Sequence, residues 1–410
     1  MEDAELAEFM LGIREPWKVT EIWHVTETEN EIHIRADVPM GSSVPCPCCG
    51  KMCRVHDRPN GRIWRDLDAW SWKTYIHARI PRSDCPEHGV KQIDIPWARP
   101  NSRFTLMMES FIMALAEEMA VGTAARKIDE YSGRVWTAVR AKAEELLSGL
   151  NLSGTSRVSV DEKSFSGRDF ITVFADTDTR KIIFCTAGKD SETVRKFKEF
   201  LKEHGGDHLN ITDFSCDFGS AFISGIRRHF RNAKITCDRF HLVKLANEAL
   251  ADTNCGVLKL TVSRMKAKYL MLRNDGNMSE KDRERRDMIC RDNEVLGIAY
   301  RLKESLCSVY LPGDVYSAEQ HLKEWIRWAG MTKLRQFVRL AETVRENMPY
   351  ILQWFPSKLT NGMMEGINSL ISVIKSRARG FHYPENLISM CYLVSNRNRG
   401  GFHRNYARVS

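Results

Sequence analysis

The sequence predicts a multidomain α/β protein with a small cysteine-rich module, a three-helix module and a mixed α/β core broken by a long helical stretch. Three observations carry that prediction. Five of the twelve cysteines fall within residues 46–85. A helical pattern fills 103–148, and three compact apolar runs after residue 156 give way to helix–strand alternation. At 410 residues the chain exceeds one ordinary domain, and 43% apolar against 28% charged residues suits packed cores and excludes wholesale disorder. No apolar run approaches the roughly 18 residues of a membrane span. The acidic start MEDAELAEFM is not a signal peptide, which points to the cytoplasm and to no membrane partner.

The elements follow in order. Residues 17–40 alternate (Val19, Ile22, Val25, then Ile32, Ile34, Ala36, Val38) and read as two short strands. IPWARPNS at 95–102 and NLSGTS at 151–156 are linkers around the helical module. RVSVD (157–161), FITVFAD (170–176) and KIIFCTA (181–187) are three strands, with Thr177 and Asp178 in the second turn. Ser191 reads as the cap of a helix ending at Gly205-Gly206, followed by strand 209–217, helix 220–230 and strand 233–237. From 240 to about 355 the pattern is helical, with SAEQ at 317–320 as a capping box and Trp325, Trp328, Trp354 and Phe355 read chiefly as core. A last helix starts near Thr360 and carries Glu365, Ile367, Leu370, Ile371 and Ile374.

Charge is unevenly spread within the net +8. Residues 1–40 hold ten acids and three bases, residues 51–82 eight bases and three acids, and residues 370–410 seven bases and one acid. Basic patches beside an acidic flank suit a polyanion, with a solvated basic surface as the alternative.

Cys46-Pro-Cys-Cys49-Gly50 and Cys85-Pro-Glu-His88-Gly89 repeat one design. A two-residue gap lets both ligands face one ion, and two such knuckles complete a tetrahedral Cys₃His zinc site with no open position for chemistry. Cys48, Cys53 and His56 are rival ligands, and a reduced cluster without metal is the alternative. In the helical module, the first helix ends near Met119, a short one covers roughly GTAARKI, and a third starts at the capping Ser132. The third buries Val135, Trp136, Val139 and Leu146, and bears Arg134, Thr137 and Arg140 outward. This fits a helix-turn-helix, or an ordinary three-helix bundle with a basic face.

The order β-β-β-α-β-α-β is that of a ribonuclease-H-like domain, in which acids from the first strand, the fourth strand and a later helix converge on two divalent ions. Asp161 ends VSVD with Glu162 beside it, Asp217 ends ITDFSCD, and Glu365 lies on the last helix. Phosphodiester chemistry with two Mg²⁺ about 4 Å apart wants hard carboxylate oxygens. Asp213 and Asp176 suit that geometry less well, and Asp238 either caps the next helix or, with His241, lines the site behind the acids.

These blocks form a set. CPCCG with VHDR and RDL, then CPEHG, VDEKSF, CDFGSAF, DRFHLVK, TNGMMEGIN and KSRARGF resemble the ISL-three family of bacterial insertion-sequence transposases, over nearly the whole chain beyond about residue 40. The resemblance implies a DDE transposase with a zinc-ribbon-like module, a helix-turn-helix and a ribonuclease-H-like core carrying a large helical insertion; 147 residues separate Asp217 from Glu365. The implied domains are an acidic strand segment (1–40), zinc module (41–98), helix-turn-helix (99–150), core (157–239), insertion (240–356) and second core part with the basic tail (357–410). The implied catalytic, Mg²⁺-holding residues are Asp161, Asp217 and Glu365, with Mn²⁺ able to substitute. One structural Zn²⁺ would sit on Cys46, Cys49, Cys85 and His88, where the family's second knuckle is usually cysteine-only. Terminal inverted repeats and target DNA are the implied partners, met by Arg134, Thr137 and Arg140 and by Lys375, Arg377, Arg379, Arg397, Arg399 and Arg404, with at least a dimer on DNA. Two rivals are a DNA-binding regulator with an inactive core and a nuclease without strand transfer.

Overall fold

The computed structural model describes residues 3–26, 30–257, 270–273, 276, 278–311 and 313–395, so Arg397, Arg399 and Arg404 lie outside the described residues. The chain divides into two compact units: Met1–Leu146 with Ile374–Arg379 and Ser389–Ser410, and Leu147–Val373 with Gly380–Ile388.

The first unit opens with a helix that the sequence pattern missed, α1 (Asp3–Leu11). Its acids hide a short apolar row, Ala4, Ala7 and Leu11, that packs on the core. The expected strand pair follows as β1 (Lys18–Val25) and β2 (Glu31–Asp37), antiparallel. They join a four-stranded sheet in the order β1-β2-β6-β5, where β5 (Arg62–Arg65) and β6 (Lys73–Ala78) form a hairpin and β6 runs parallel to β2. Its inner face (Ile34, Ala36, Trp64, Ile76, Ala78) packs around Trp17 and Trp97, alternating with outward residues as a half-buried sheet must. A second, antiparallel sheet holds β3 (Ser43–Pro45), β4 (Met52–Asp57), β7 (Arg82–Cys85) and β8 (Gly89–Gln92).

Three helices follow the sheets: α2 (Leu106–Glu118), α3 (Val121–Lys127) and α4 (Ser132–Ser148). Thr105 caps α2 by accepting from the Met108 N–H (3.1 Å), and its hydroxyl donates to buried Asp66 just after β5. One threonine therefore both starts the helix and ties it to the sheet. Within α4, Val135, Ala138, Val139 and Ala143 are buried, whereas Trp136 and Leu146 are only half-buried. Two valines and two alanines, not the tryptophan, occupy the innermost positions.

The second unit carries β9 (Arg157–Ser166), β10 (Asp169–Asp176), β11 (Lys181–Ala187), α5 (Ser191–Glu203), β12 (Asp213–Cys216), α6 (Ser220–His229) and β13 (Lys234–Cys237). The sheet order is β11-β10-β9-β12-β13, with the first three strands antiparallel and β12 parallel to both β9 and β13. Phe174, Phe197, Phe214 and Phe230 fill the core beneath it. The cap of α5 is Asp190, which accepts from the Glu192 N–H (3.1 Å), rather than Ser191. Both residue types cap well, so the pattern alone was one residue out. The fourth strand is also shorter than 209–217, since only 213–216 pair.

Then come α7 (Arg239–Val257), α8 (Glu280–Asp292), α9 (Glu294–Cys307), α10 (Val315–Met331), α11 (Arg335–Leu352), α12 (Trp354–Ser357), α13 (Gly362–Ala378) and α14 (Pro384–Ser395) among the described residues. Helices α7 and α9–α11 enclose a core of Leu242, Leu302, Trp325 and Phe337; Phe355 is buried, and Trp328 and Trp354 pack against it half-buried. The cap of α10 is Asp314, accepting from the Ser317 N–H (2.8 Å), so the helix starts two residues before the expected SAEQ box.

Candidate functional site

Each knuckle is a hairpin turn. Cys46 follows β3 and Cys85 ends β7; Gly50 and Gly89 close the turns with φ of 72° and 67°, a left-handed backbone that a side chain would strain. The ligand atoms of Cys46, Cys49, Cys85 and His88 all lie within 4.8 Å of one another. Cys46 Sγ to His88 Nδ1 is 3.9 Å, Cys49 Sγ to Cys85 Sγ 3.9 Å, and Cys85 Sγ to His88 Nδ1 3.6 Å. Zinc–ligand bonds of about 2.0–2.3 Å imply tetrahedral edges of about 3.6–3.8 Å, so the donor set fits a structural zinc. The His88 ring, against burial, holds the Cys85 thiol down to about 6. Of the rivals, Cys48 and His56 are exposed and Cys53 is buried nearby with its thiol directed to the Lys51 carbonyl (3.2 Å); none belongs to the four-ligand group.

In the helical module, α3 and α4 are joined by Ile128–Tyr131, with Asp129 in a left-handed conformation and paired to Lys73 at 2.5 Å. Arg134, Thr137 and Arg140 are all exposed on α4. Arg134 pairs with Glu130 (3.4 Å) and the Thr137 hydroxyl donates to the Gly133 carbonyl (3.0 Å). Farther on, Arg377 donates to the Glu117 carbonyl (2.9 Å), which commits part of its guanidinium within the protein; Arg379 is exposed and Lys375 half-buried.

The acids meet in the second unit. Asp161, Asp217 and Glu365 line one cleft of about 780 Å³ together with Glu162, Asp238 and His241. Asp161 sits mid-strand in β9, not at its end. What ends there is the neighbouring ladder: β12 pairs with β9 only from Arg157 to Ser159. Continuing that parallel register by two residues sets Asp217 level with Asp161 where the sheet opens. Glu365 comes from the first turn of α13, exposed, on the side opposite the buried row Met364, Ile367, Ile371 and Ile374.

Two of the three acids are held by donors. Asp161 Oδ2 accepts from Asn368 Nδ2 (2.6 Å) and its Oδ1 from the Glu162 N–H (2.8 Å). Asp217 Oδ1 accepts from the Gly219 N–H (2.9 Å), and a Cβ on Gly219 would come within 2.8 Å of that oxygen. Burial pushes the Asp161 carboxyl up, opposed chiefly by the charge of His241; burial and then the charges of Asp217 and Asp161 push Glu162 up. His241 Nδ1 meets Asp238 Oδ2 at 3.1 Å, which raises the imidazole, with the Asp161 charge adding to it. Asp176, in contrast, accepts the Asp178 and Thr179 N–H groups and the Thr155 hydroxyl, the work of a turn residue. Asp213 opens β12, away from the cleft lining.

Sequence reasoning passed over Asn368, Asn361 and Gly219. Asn361 lines the cleft, is 2% exposed, and neither polar atom of its side chain has a hydrogen-bond partner. Asn361 and Asn368 flank Glu365 at spacings of four and three, the helical-face signal that could have found them.

The carboxylate donor set is that of a hard divalent cation, and burial has raised Asp161 despite the opposing charge of His241. The three carboxylates do not form a group within 4.8 Å as the knuckle ligands do among the described residues.

Three family models match the chain. A zinc-finger of transposases IS204/IS1001/IS1096/IS1165 covers residues 42–88, the helix-turn-helix domain of transposase family ISL3 covers 93–141, and the ISL3 transposase model itself covers 158–391. The transposase for insertion sequence element IS1557 of Mycobacterium tuberculosis is 26% identical over 388 residues, covering 85% of each chain. The transposase for insertion sequence element IS1001 of Bordetella parapertussis is 25% identical over 358 residues, covering 85% of this chain and 87% of the relative. No helix among the described residues is long and apolar enough to cross a membrane.

Proposed function

The chain belongs to the transposase family ISL3, and from that premise we propose that it binds the terminal inverted repeats of its own element, cuts the DNA strands there and joins the freed ends to target DNA. The observation that carries this reading is the convergence of Asp161, Asp217 and Glu365, 204 residues apart at the extremes, on one cleft. The strand order β11-β10-β9-β12-β13 supports a ribonuclease-H-like core over 157–239 and 357–410, with 240–356 as a helical insertion. The zinc module (41–98) and helix-turn-helix (99–150) would grip the ends, preceded by the acidic segment 1–40. Arg134, Thr137 and Arg140, with Lys375, Arg377 and Arg379, would supply base and phosphate contacts.

Asp161, Asp217 and Glu365 would hold two Mg²⁺, for which three carboxylates on one cleft supply hard oxygen donors. When bound, the ions would activate the attacking oxygen and stabilise the leaving one. The chain's own part is positional. Asn368 and the Glu162 N–H fix the Asp161 carboxylate, Gly219 fixes Asp217, and Asp238 orients the His241 ring toward the acids. Attack of water on phosphorus breaks the P–O3′ bond and leaves a 3′-hydroxyl. In a second round that hydroxyl would attack a phosphodiester of target DNA, forming a new P–O3′ bond as the target's own P–O3′ bond breaks and its 3′-oxygen leaves as a hydroxyl. Cutting two ends together requires at least a dimer.

The test is excision of a marker flanked by the DNA on either side of the gene, comparing wild type with Glu365→Gln by junction sequencing. Excision and reinsertion by wild type alone supports the proposal. Specific binding without junctions from either protein favours a regulator, and cleavage without joined products favours a nuclease.

A further inference from the structure

The first turns of α7 present a stripe to the acidic cleft that the carboxylate chemistry leaves unused. Phe240, Lys244 and Glu248, spaced by four, all line it beside His241. Phe240 is 53% exposed, although the other phenylalanines of this unit's sheet core (Phe174, Phe197, Phe214, Phe230) are buried. Its ring neighbour is His241, T-shaped at a long 6.2 Å, so no ring is stacked on Phe240 and about half of its surface is open to solvent. Its backbone N–H donates to Asp238 Oδ1 (3.3 Å), which ties the start of the helix to the cleft floor. One turn on, about 6 Å along the axis, the exposed Lys244 brings a cation to the same wall.

An unstacked aromatic ring followed by a cation one turn away is the pairing that binds a nucleotide: base on ring, phosphate on ammonium. The acids dictate which nucleotide. Asp161 and Asp238 are buried on the cleft floor, so a phosphodiester must leave the regular duplex backbone to reach them, and the base beside it loses a stacking neighbour. A base still stacked on both sides has no face to offer. We propose that Phe240 and Lys244 form a subsite for the unstacked nucleotide flanking the scissile phosphate, its base on the Phe240 ring and its phosphate at the Lys244 ammonium. This rests on the strand-cutting reading above. The ring replaces the stacking partner lost when the strand enters the cleft, for any of the four bases.

The experiment uses the full chain and a labelled duplex of the element end, with cleavage rate and duplex affinity measured separately. Phe240→Ala should cut the paired duplex about ten- to a hundredfold more slowly, bind it within about twofold of wild type, and keep its thermal midpoint. Phe240→Trp should restore cutting. A mismatch or abasic site at the flanking position removes the unstacking cost in advance, and should bring the Ala variant back toward wild type. Lys244→Gln should lower the slope of log affinity against log salt by about 0.9. Wild-type rates in Phe240→Ala on paired DNA, or a deficit that the unpaired flank does not relieve, overturn the subsite while leaving the strand-cutting reading intact. If wild type cuts nothing and Glu365→Gln behaves identically, that reading falls and takes the subsite with it.

Discussion

The two candidate metal sites are built in opposite ways. The knuckle ligands come from two hairpin turns whose cysteines sit three residues from their partners, and the set is closed at 4.8 Å. The acidic cleft draws on β9, the end of β12 and the start of α13, keeps Glu365 exposed, and leaves its carboxylates apart. A closed set stabilises a fold, whereas an open one reserves positions for substrate. Local spacing can specify the first; only a finished fold can specify the second.

The largest effect should come from breaking the closed site. Chelation or Cys85→Ser removes a structural ion whose binding is worth about 10–16 kcal/mol in small zinc domains. Metal analysis should fall from one zinc per chain to none, with residues 43–92 losing amide-exchange protection and the second unit's sheet keeping it. Protection retained at 43–92 would sink the structural role. Next, Glu365→Gln should reduce cleavage about a thousandfold, the scale of several kcal/mol of lost transition-state stabilisation, and leave zinc content and thermal midpoint alone because the side chain is exposed. A large drop in midpoint would erase the contrast between the sites.

Asn368→Ala sharpens it further. Removing a hydrogen bond to a charged group costs about 1.5–3 kcal/mol, which should raise the Mg²⁺ concentration for half-maximal thermal stabilisation about tenfold and, because the bond is made without metal, lower apo stability as well. An unaltered Mg²⁺ titration would deny Asn368 its hold on Asp161.

The smallest effect is one of sign in the metal-free protein. The Cys85 thiol is depressed from 9.0 to about 6, so its contribution is present above pH 9 and is lost as pH falls through 6. The Asp161 carboxyl is raised above 3.8 by burial, so the folded state takes its proton first and its local stability grows as pH falls through that raised value. Amide exchange across pH 4–9 should show the two regions moving in opposite directions.

The sequence was legible where one residue decides one feature locally. The C-P-x-[C/H]-G spacing pointed to the four residues that the fold gathers into one donor group, and the apolar runs located every strand of the second unit's sheet. Asp161 was found for a partly wrong reason: it lies mid-strand, and it is the end of the β12 ladder that exposes it. No local pattern marks where a neighbouring strand stops. Asp190 and Asp314 displaced the expected caps, one and three residues downstream, because Asp and Ser differ little in capping propensity. The amide of Asn368 reaches a carboxylate 207 residues away, a relation that exists only after α13 has docked beside β9.

One feature of the first sheet reaches beyond either site. Strand β2 pairs with β6 across the segment that contains the first knuckle, and β1 and β2 supply half the strands that bury Trp64 and Ile76. The acidic leader is thus a structural clasp, not an appendage in front of the zinc ligands. A shortened protein starting at residue 41 would keep every cysteine of the cluster and still expose a half-built sheet to aggregation, so miniaturising this protein should begin elsewhere.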